Sequence, residues 1–131
     1  MPDMIKVAAA IIENDEGFIL IARRRKGKSQ EGLWEFPGGK LEEGEDPAAC
    51  LKRELMEEMR IEIAPYEQLS TNDHRYGDLH IHLIAYRARF TGGTIELIDH
   101  DDYRWVRIKE LKEFQFAPAD IKFVELLSQS C

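Results

Sequence analysis

Three glutamates, Glu54, Glu57 and Glu58, stand at i, i+3 and i+4 in the stretch 39–61, which reads GKLEEGEDPAACLKRELMEEMRI. A helix advances about 100° per residue, so these positions share one side, while Ala48, Leu51, Leu55 and Met59 form a separate apolar stripe. One face of such a helix packs on a core and the other points acid at something. Like charges at i,i+4 each cost about 0.2–0.5 kcal/mol, so clustered glutamates need solvent or a cation beside them. A solvated acidic face is the plain alternative to a metal site, and the flanking residues favour the ion. Pro37-Gly38-Gly39 lets a ligand approach the main chain closely, and hard cations such as Mg²⁺ take oxygen ligands and bridge carboxylates to phosphates. Glu57 and Glu58 are expected as the main ligands, Glu54 as ligand, general base or both, and the Gly38 or Gly39 carbonyl as an extra ligand. Arg53 is expected to orient the glutamates through charge-assisted hydrogen bonds, with Glu45 holding the loop.

The same segment resembles the Nudix box, G-x5-E-x7-R-E-U-x-E-E-x-G-U with U aliphatic, through Gly39, Glu45, Arg53, Glu54, Leu55, Glu57, Glu58 and Ile61. Arg60 stands where that pattern has its last glycine, which suggests a different exit from the helix. Trp34-Glu35-Phe36-Pro37-Gly38-Gly39-Lys40 resembles the entry to the box in MutT-type nucleoside triphosphate pyrophosphohydrolases. Phe116-Ala117-Pro118-Ala119-Asp120 resembles their base-recognition segment.

The resemblance implies an α/β fold, an α/β/α sandwich with a central mixed β-sheet, as a single Nudix domain over residues 1–131. It implies hydrolysis of nucleoside triphosphates to monophosphate and pyrophosphate by attack of water on the β-phosphorus, with Mg²⁺ as cofactor and Mn²⁺ able to substitute. The implied role is nucleotide-pool sanitising, on 8-oxo-dGTP or on CTP, dCTP and modified pyrimidine triphosphates. By the same resemblance Arg24 contacts phosphate from a strand end. Asp99, in Asp99-His100-Asp101-Asp102-Tyr103-Arg104-Trp105, is similar to the acidic residue of the family's E-H-x4-W element and joins the metal site, though with a shorter reach. Asp120 stands where enzymes reading 8-oxoguanine commonly have asparagine. An ionised aspartate only accepts, which suits the cytosine amino group or the N7 hydrogen of 8-oxoguanine. Asp120 is equally placed to cap the last helix, and Phe36 to face a base or fill the core. An ADP-ribose or dinucleoside polyphosphate hydrolase is the rival reading. A non-catalytic nucleotide-binding module of this fold is another, but such modules typically lose box glutamates and this chain keeps them all.

A net charge of −7 argues against a nucleic-acid partner and for a small nucleotide substrate. Arg23, Arg24, Arg25, Lys26 and Lys28 nevertheless form one cationic run that suits a phosphate chain, with Lys26 and Lys28 read as solvated. Length and composition, 131 residues with 44% hydrophobic and 33% charged, fit one globular domain acting as monomer or homodimer. Neither a leader-like apolar run nor a span of roughly 20 apolar residues is present, so no membrane association is expected and the cytoplasm is the default. Cys50 and Cys131 suggest neither a disulfide framework nor a nucleophile. His74, His80, His82 and His100 lack the cysteine partners of a zinc site.

These residues need elements to position them. Residues 7–12 and 18–22 read as a hairpin around Asn14-Asp15-Glu16-Gly17. Asp46 and Pro47 read as the N-cap and first position of a helix reaching Met59. Residues 79–90 read as a long strand, Thr91-Gly92-Gly93-Thr94 as a turn into a strand at 95–98, and 103–108 as another strand. Pro118 is expected to open a last helix with Ile121, Val124, Leu127 and Phe123 inward.

Overall fold

The strand β1, Met4–Glu13, is apolar on both of its faces, and its alternating side chains divide the core in two. Ala9 and Ile11 join Phe36, Phe116, Phe123 and Leu127 on one side. Ala8, Ala10 and Ile12 join Leu51, Leu55, Met59 and Ile61 on the other. A strand buried on both faces belongs at the middle of a sheet with helices on either side. The computed structural model, which describes residues 4–129, has that architecture; Cys131 lies outside the described residues.

Six further strands surround β1: β2 Ile19–Arg24, β3 Trp34–Glu35, β4 Gly38–Lys40, β5 Ile61–Tyr76, β6 Leu79–Gly93 and β7 His100–Val106. Strand β1 runs parallel to β6, from Met4 beside His80 to Glu13 beside Arg89, and antiparallel to β4. Strands β5 and β6 pair antiparallel along nearly their whole lengths. The helix α1, Pro47–Met59, covers one face of this mixed sheet and α2, Ile121–Gln129, the other. Among the described residues no helix is long and apolar enough to cross a membrane.

The hairpin read at 7–12 and 18–22 holds only at its turn, where Glu13 pairs with Ile19. Beyond it the strands part: β2 turns to β3 and β7, while β1 gives its edge to β4, with the Ala10 amide bonded to the Pro37 carbonyl at 2.8 Å. The strand expected at 95–98 does not form. Gly92 and Gly93 stay in β6 opposite Glu62 and Ile61, so no turn is made there, and the Glu96 amide instead bonds the Met59 carbonyl. The strand expected at 103–108 starts earlier, at His100, and ends at Val106. At the C-terminal end Pro118–Asp120 form a 3₁₀ turn, and α2 starts only at Ile121. Ala119 and Asp120 take the inward positions, so Ile121 is left 44% exposed while Phe123, Val124 and Leu127 are buried.

The helix α1 begins as its residues require. The Asp46 side chain accepts from the Ala49 amide at 2.8 Å and proline follows at the first position. It does not end differently for lacking a glycine. Arg60 takes the left-handed conformation itself, φ 58° and ψ 33°, and its amide bonds the Met56 carbonyl at 3.1 Å. That conformation costs an L-residue about 1–2 kcal/mol, against about 0.5–1 kcal/mol of extra chain entropy for glycine. The exposed pair of Arg60 with Glu96, 3.7 Å apart, adds little. Arg60→Gly is therefore expected to stabilise the fold by about 0.5–1 kcal/mol, a rise of roughly 3 °C in Tm by thermal circular dichroism. A lowered Tm would show that the Glu96 contact outweighs the backbone strain.

Candidate active site

A cavity of about 470 Å³ opens where β1 and β2 part. Its walls come from Val7, Ala8 and Ala9 of β1, Arg24 of β2, the segment from Glu35 to Lys40, Glu58 of α1 and Asp120, with Ile81 and Leu83 giving it an apolar side. A hollow of about 600 Å³ between the 114–116 segment and α2 holds none of the box glutamates. The first cavity is the candidate site.

On α1 one guanidinium organises the acid. Arg53 reaches both oxygens of Glu45 at 2.9 Å, Glu54 at 3.0 Å, Glu57 at 3.1 Å and the Lys40 carbonyl at 3.2 Å. The bond from Arg53, then the Glu42 amide, holds the Glu45 carboxyl down to about 2, and the same carboxylates push the Arg53 guanidinium up. Glu57 stays at the surface, 60% exposed, whereas Glu54 is largely covered. Glu58 is the inner carboxylate. Burial first, then the carboxylate of Glu54, then the fields of Glu35 and Asp99, push it up to about 9. Its Oε2 is buried with no hydrogen-bond partner.

The residues fit a hard divalent cation. A buried carboxylate oxygen without a donor, set among further carboxylates, lacks the positive charge that would offset its desolvation. Among the described residues no three such side chains already converge, because Arg53 engages Glu54 and Glu57 while Lys28 pairs with Asp99 at 3.3 Å. Lys28 is thus an ion-pair partner rather than a free solvated cation. The two glycines have separate duties. A Cβ on Gly38 would collide with the Ala8 carbonyl of β1, and one on Gly39 would occupy the place of the Glu54 carboxylate.

Arg24, at the cavity wall, donates to Glu35 at 3.0 Å and to the Ser29 carbonyl. Glu35 also meets His100 at 2.7 Å, with that histidine buried and its Nδ1 unpartnered. Sequence reasoning passed over Glu35; its one signal is a charged residue between Trp34 and Phe36 in an otherwise apolar run. Phe36 is buried, packs on Phe116 with centroids 5.1 Å apart, and lends its amide to Asp120 Oδ2 at 3.3 Å. Asp120 therefore spends that oxygen on a distant strand segment rather than on the first turn of α2. Trp34 sets this up by exchanging bonds with Gln115 and Ala117, which lays the 115–117 segment beside β3. Burial, with Glu35 nearby, raises the Asp120 carboxyl well above the ordinary carboxylate range. Burial thus works against the ionised acceptor read from the sequence, while the Phe36 amide works for it.

His80 and His82 both reach Asp73, at 3.0 and 2.9 Å, and this group stands apart from the cavity. The Cys50 thiol is buried against the Gly39 and Lys40 carbonyls and pushed up to about 12, which leaves it inert.

Known proteins are similar to this chain in sequence and fold. A family model described as NUDIX domain matches residues 8–126. A CTP pyrophosphohydrolase of Escherichia coli (strain K12) is 40% identical over 122 residues, covering 93% of this chain and 90% of that protein. An 8-oxo-dGTP diphosphatase of Haemophilus influenzae is 34% identical over 124 residues, covering 95% and 91%. The solution structure of the E. coli ORF135 protein superposes with a TM-score of 0.86 at 38% identity, over 97% of this chain and 90% of that one.

The glycine pair yields a test that separates fold from site. Gly38→Ala meets backbone and is expected to cost at least about 2 kcal/mol in denaturant unfolding. Gly39→Ala meets only the end of a flexible side chain, so it should leave stability within about 1 kcal/mol while displacing Glu54 and lowering turnover by roughly tenfold or more. Equal stability losses from both would refute the division.

Proposed function

The chain belongs to the NUDIX domain family, and from that we propose that it hydrolyses nucleoside triphosphates to monophosphate and pyrophosphate, with Mg²⁺ bound, taking 8-oxo-dGTP and cytosine nucleotides from the pool. The observation that carries the reading is the unpartnered Glu58 Oε2 among Glu54, Glu35 and Asp99, in the same cavity that Asp120 lines from another side. The relatives' names, CTP pyrophosphohydrolase and 8-oxo-dGTP diphosphatase, support both the reaction and the base classes.

Glu58 and Glu54, with Glu57, Asp99 and the Gly38 carbonyl, would hold Mg²⁺ or Mn²⁺, which supplies charge neutralisation across the phosphate chain and an acidified water. Arg53 keeps Glu54 and Glu57 in place without touching substrate. Arg24 exchanges part of its bonding to Glu35 for phosphate oxygens and draws the triphosphate along the cavity wall. The attacking water forms a new bond to the β-phosphorus as the bond to the α-bridging oxygen breaks. A helix carboxylate takes the proton that water loses, and the monophosphate leaves with the bridging oxygen.

At the other end, burial favours the protonated Asp120 carboxyl, a form that both donates and accepts, as an asparagine would. Cytosine offers its N4 hydrogen beside the N3 lone pair, and 8-oxoguanine its N7 hydrogen beside O6. One protonated carboxyl answers either pair, whereas unoxidised guanine presents acceptors at both N7 and O6. This accounts for two base classes in one pocket.

Hydrolysis of CTP and 8-oxo-dGTP is expected to stop in chelator and return with Mg²⁺. Glu58→Gln should lower kcat roughly 100-fold or more and abolish the Mg²⁺-induced rise in Tm expected of the wild type. Full turnover in chelator would sink the reading. For Asp120 the sign follows from the direction of its shift: a raised pKa extends the protonated form to higher pH, and that form is lost as pH rises through the pKa. The kcat/KM ratio of 8-oxo-dGTP to dGTP should thus fall at alkaline pH in the wild type and stay flat in Asp120→Asn, whose donor does not titrate. A flat wild-type ratio would mean that an ionised carboxylate reads the base.

A further inference from the structure

The peptide that joins Ala119 to Asp120 is pinned at both ends. Its carbonyl, on Ala119, accepts from the Asn72 side-chain amide at 2.9 Å, and its N–H, on Asp120, donates to the Ala117 carbonyl at 2.9 Å. The preceding peptide is held as well, since the Ala119 N–H donates to the Tyr76 hydroxyl at 3.3 Å. Beyond Asp120, Lys122 Nζ reaches the Thr71 carbonyl at 2.6 Å. All of these outside partners belong to one strand, β5, whose far half lies against the 118–122 segment. A peptide plane fixed at its oxygen and its nitrogen leaves the following Cα, and the side chain it carries, little freedom to turn.

We propose that Asn72 and Tyr76 are positioning residues for base selection: from strand β5 they fix the Ala119–Asp120 peptide, and thereby the direction in which the Asp120 carboxyl meets the base. The inference rests on the reading of Asp120 as the group that contacts the base. A donor–acceptor pair discriminates only while both of its atoms are aligned, and hydrogen bonds weaken steeply below about 120°. A carboxyl free to swing would still bind a base but would no longer prefer one edge pattern over another. Tyr76 also lines the cavity itself. Asn72 contributes only through the Ala119 carbonyl.

Two variants test this with little change of volume. Asn72→Asp keeps the shape but removes the donor, and Tyr76→Phe deletes one hydroxyl. Steady-state kinetics are measured with 8-oxo-dGTP, dGTP, CTP and a base-free ribose triphosphate, together with thermal melts. Each variant is expected to lower the kcat/KM ratio of 8-oxo-dGTP to dGTP by about tenfold, mainly by raising KM for 8-oxo-dGTP, while kcat on the base-free triphosphate stays within about twofold. Asp120→Ala is run beside them. If it leaves the ratio untouched, the reading of Asp120 fails and this inference falls with it. If it collapses the ratio while folded Asn72→Asp and Tyr76→Phe proteins keep theirs, the positioning role alone is overturned. Equal losses on every substrate, the base-free one included, would show a merely structural contact and overturn it too. Should Asn72→Asp fail to fold, Tyr76→Phe decides.

Discussion

A helix with three carboxylates on one side must be held against its own charge, and here a single guanidinium does it. Arg53 bonds Glu45, Glu54 and Glu57 and the Lys40 carbonyl at once, so it ties the loop before α1 to the acidic side of α1 itself. What Arg53 leaves uncompensated is Glu58, buried and lacking a donor for one oxygen. The carboxyl that faces the cavity is left without a counter-charge, and burial therefore favours its proton until a cation takes that place. A cation entering there meets a field already arranged.

The cavity exists because β1 and β2 separate after one paired position. Strand β4 takes the edge that β2 abandons and carries Gly38 and Gly39 against β1, which brings their main chain alongside Glu54. The proposed phosphate end and base end of the site therefore hang from opposite sides of one strand. α1 packs on the face bearing Ala8 and Ala10, and the Asp120 segment on the face bearing Ala9 and Ile11. The small side chains of β1 let both approach closely.

Features that depend on local chemistry were legible in the sequence. Asp46 and Pro47 announce the start of α1, and the stripe of Leu51, Leu55 and Met59 is buried as its period requires, with Ala48 only half-covered. Features that depend on partners were not. The strand β5 shows no alternation through Thr71, Asn72, Asp73 and His74 and contains Pro65; it is extended because β6 pairs with it through three register shifts. The apolar residues near 95–98 looked like a strand but found no ladder, and the glycines before them serve β6. Arg60 kept a glycine's conformation because the hydrogen bonds of the helix end outweigh one residue's strain. The raised pKa of Asp120 follows from burial, which no residue type discloses. Glu35 was missed because its meaning lies in Arg24 and His100, far off in the chain.

The parallel pairing of β1 with β6 bears on how this molecule comes into being. Residues at the very start of the chain find their partners only beyond its middle, so a large loop must close before that ladder gains anything. The helix α1 lies inside that loop and can form within microseconds from its own cap and stripe, well ahead of the sheet. The start of α1 is thus set by neighbours in sequence, while the cleft beside its carboxylates is walled in part by Ile81 and Leu83 of β6. The acidic helix and the space it faces depend on contacts of very different range along the chain.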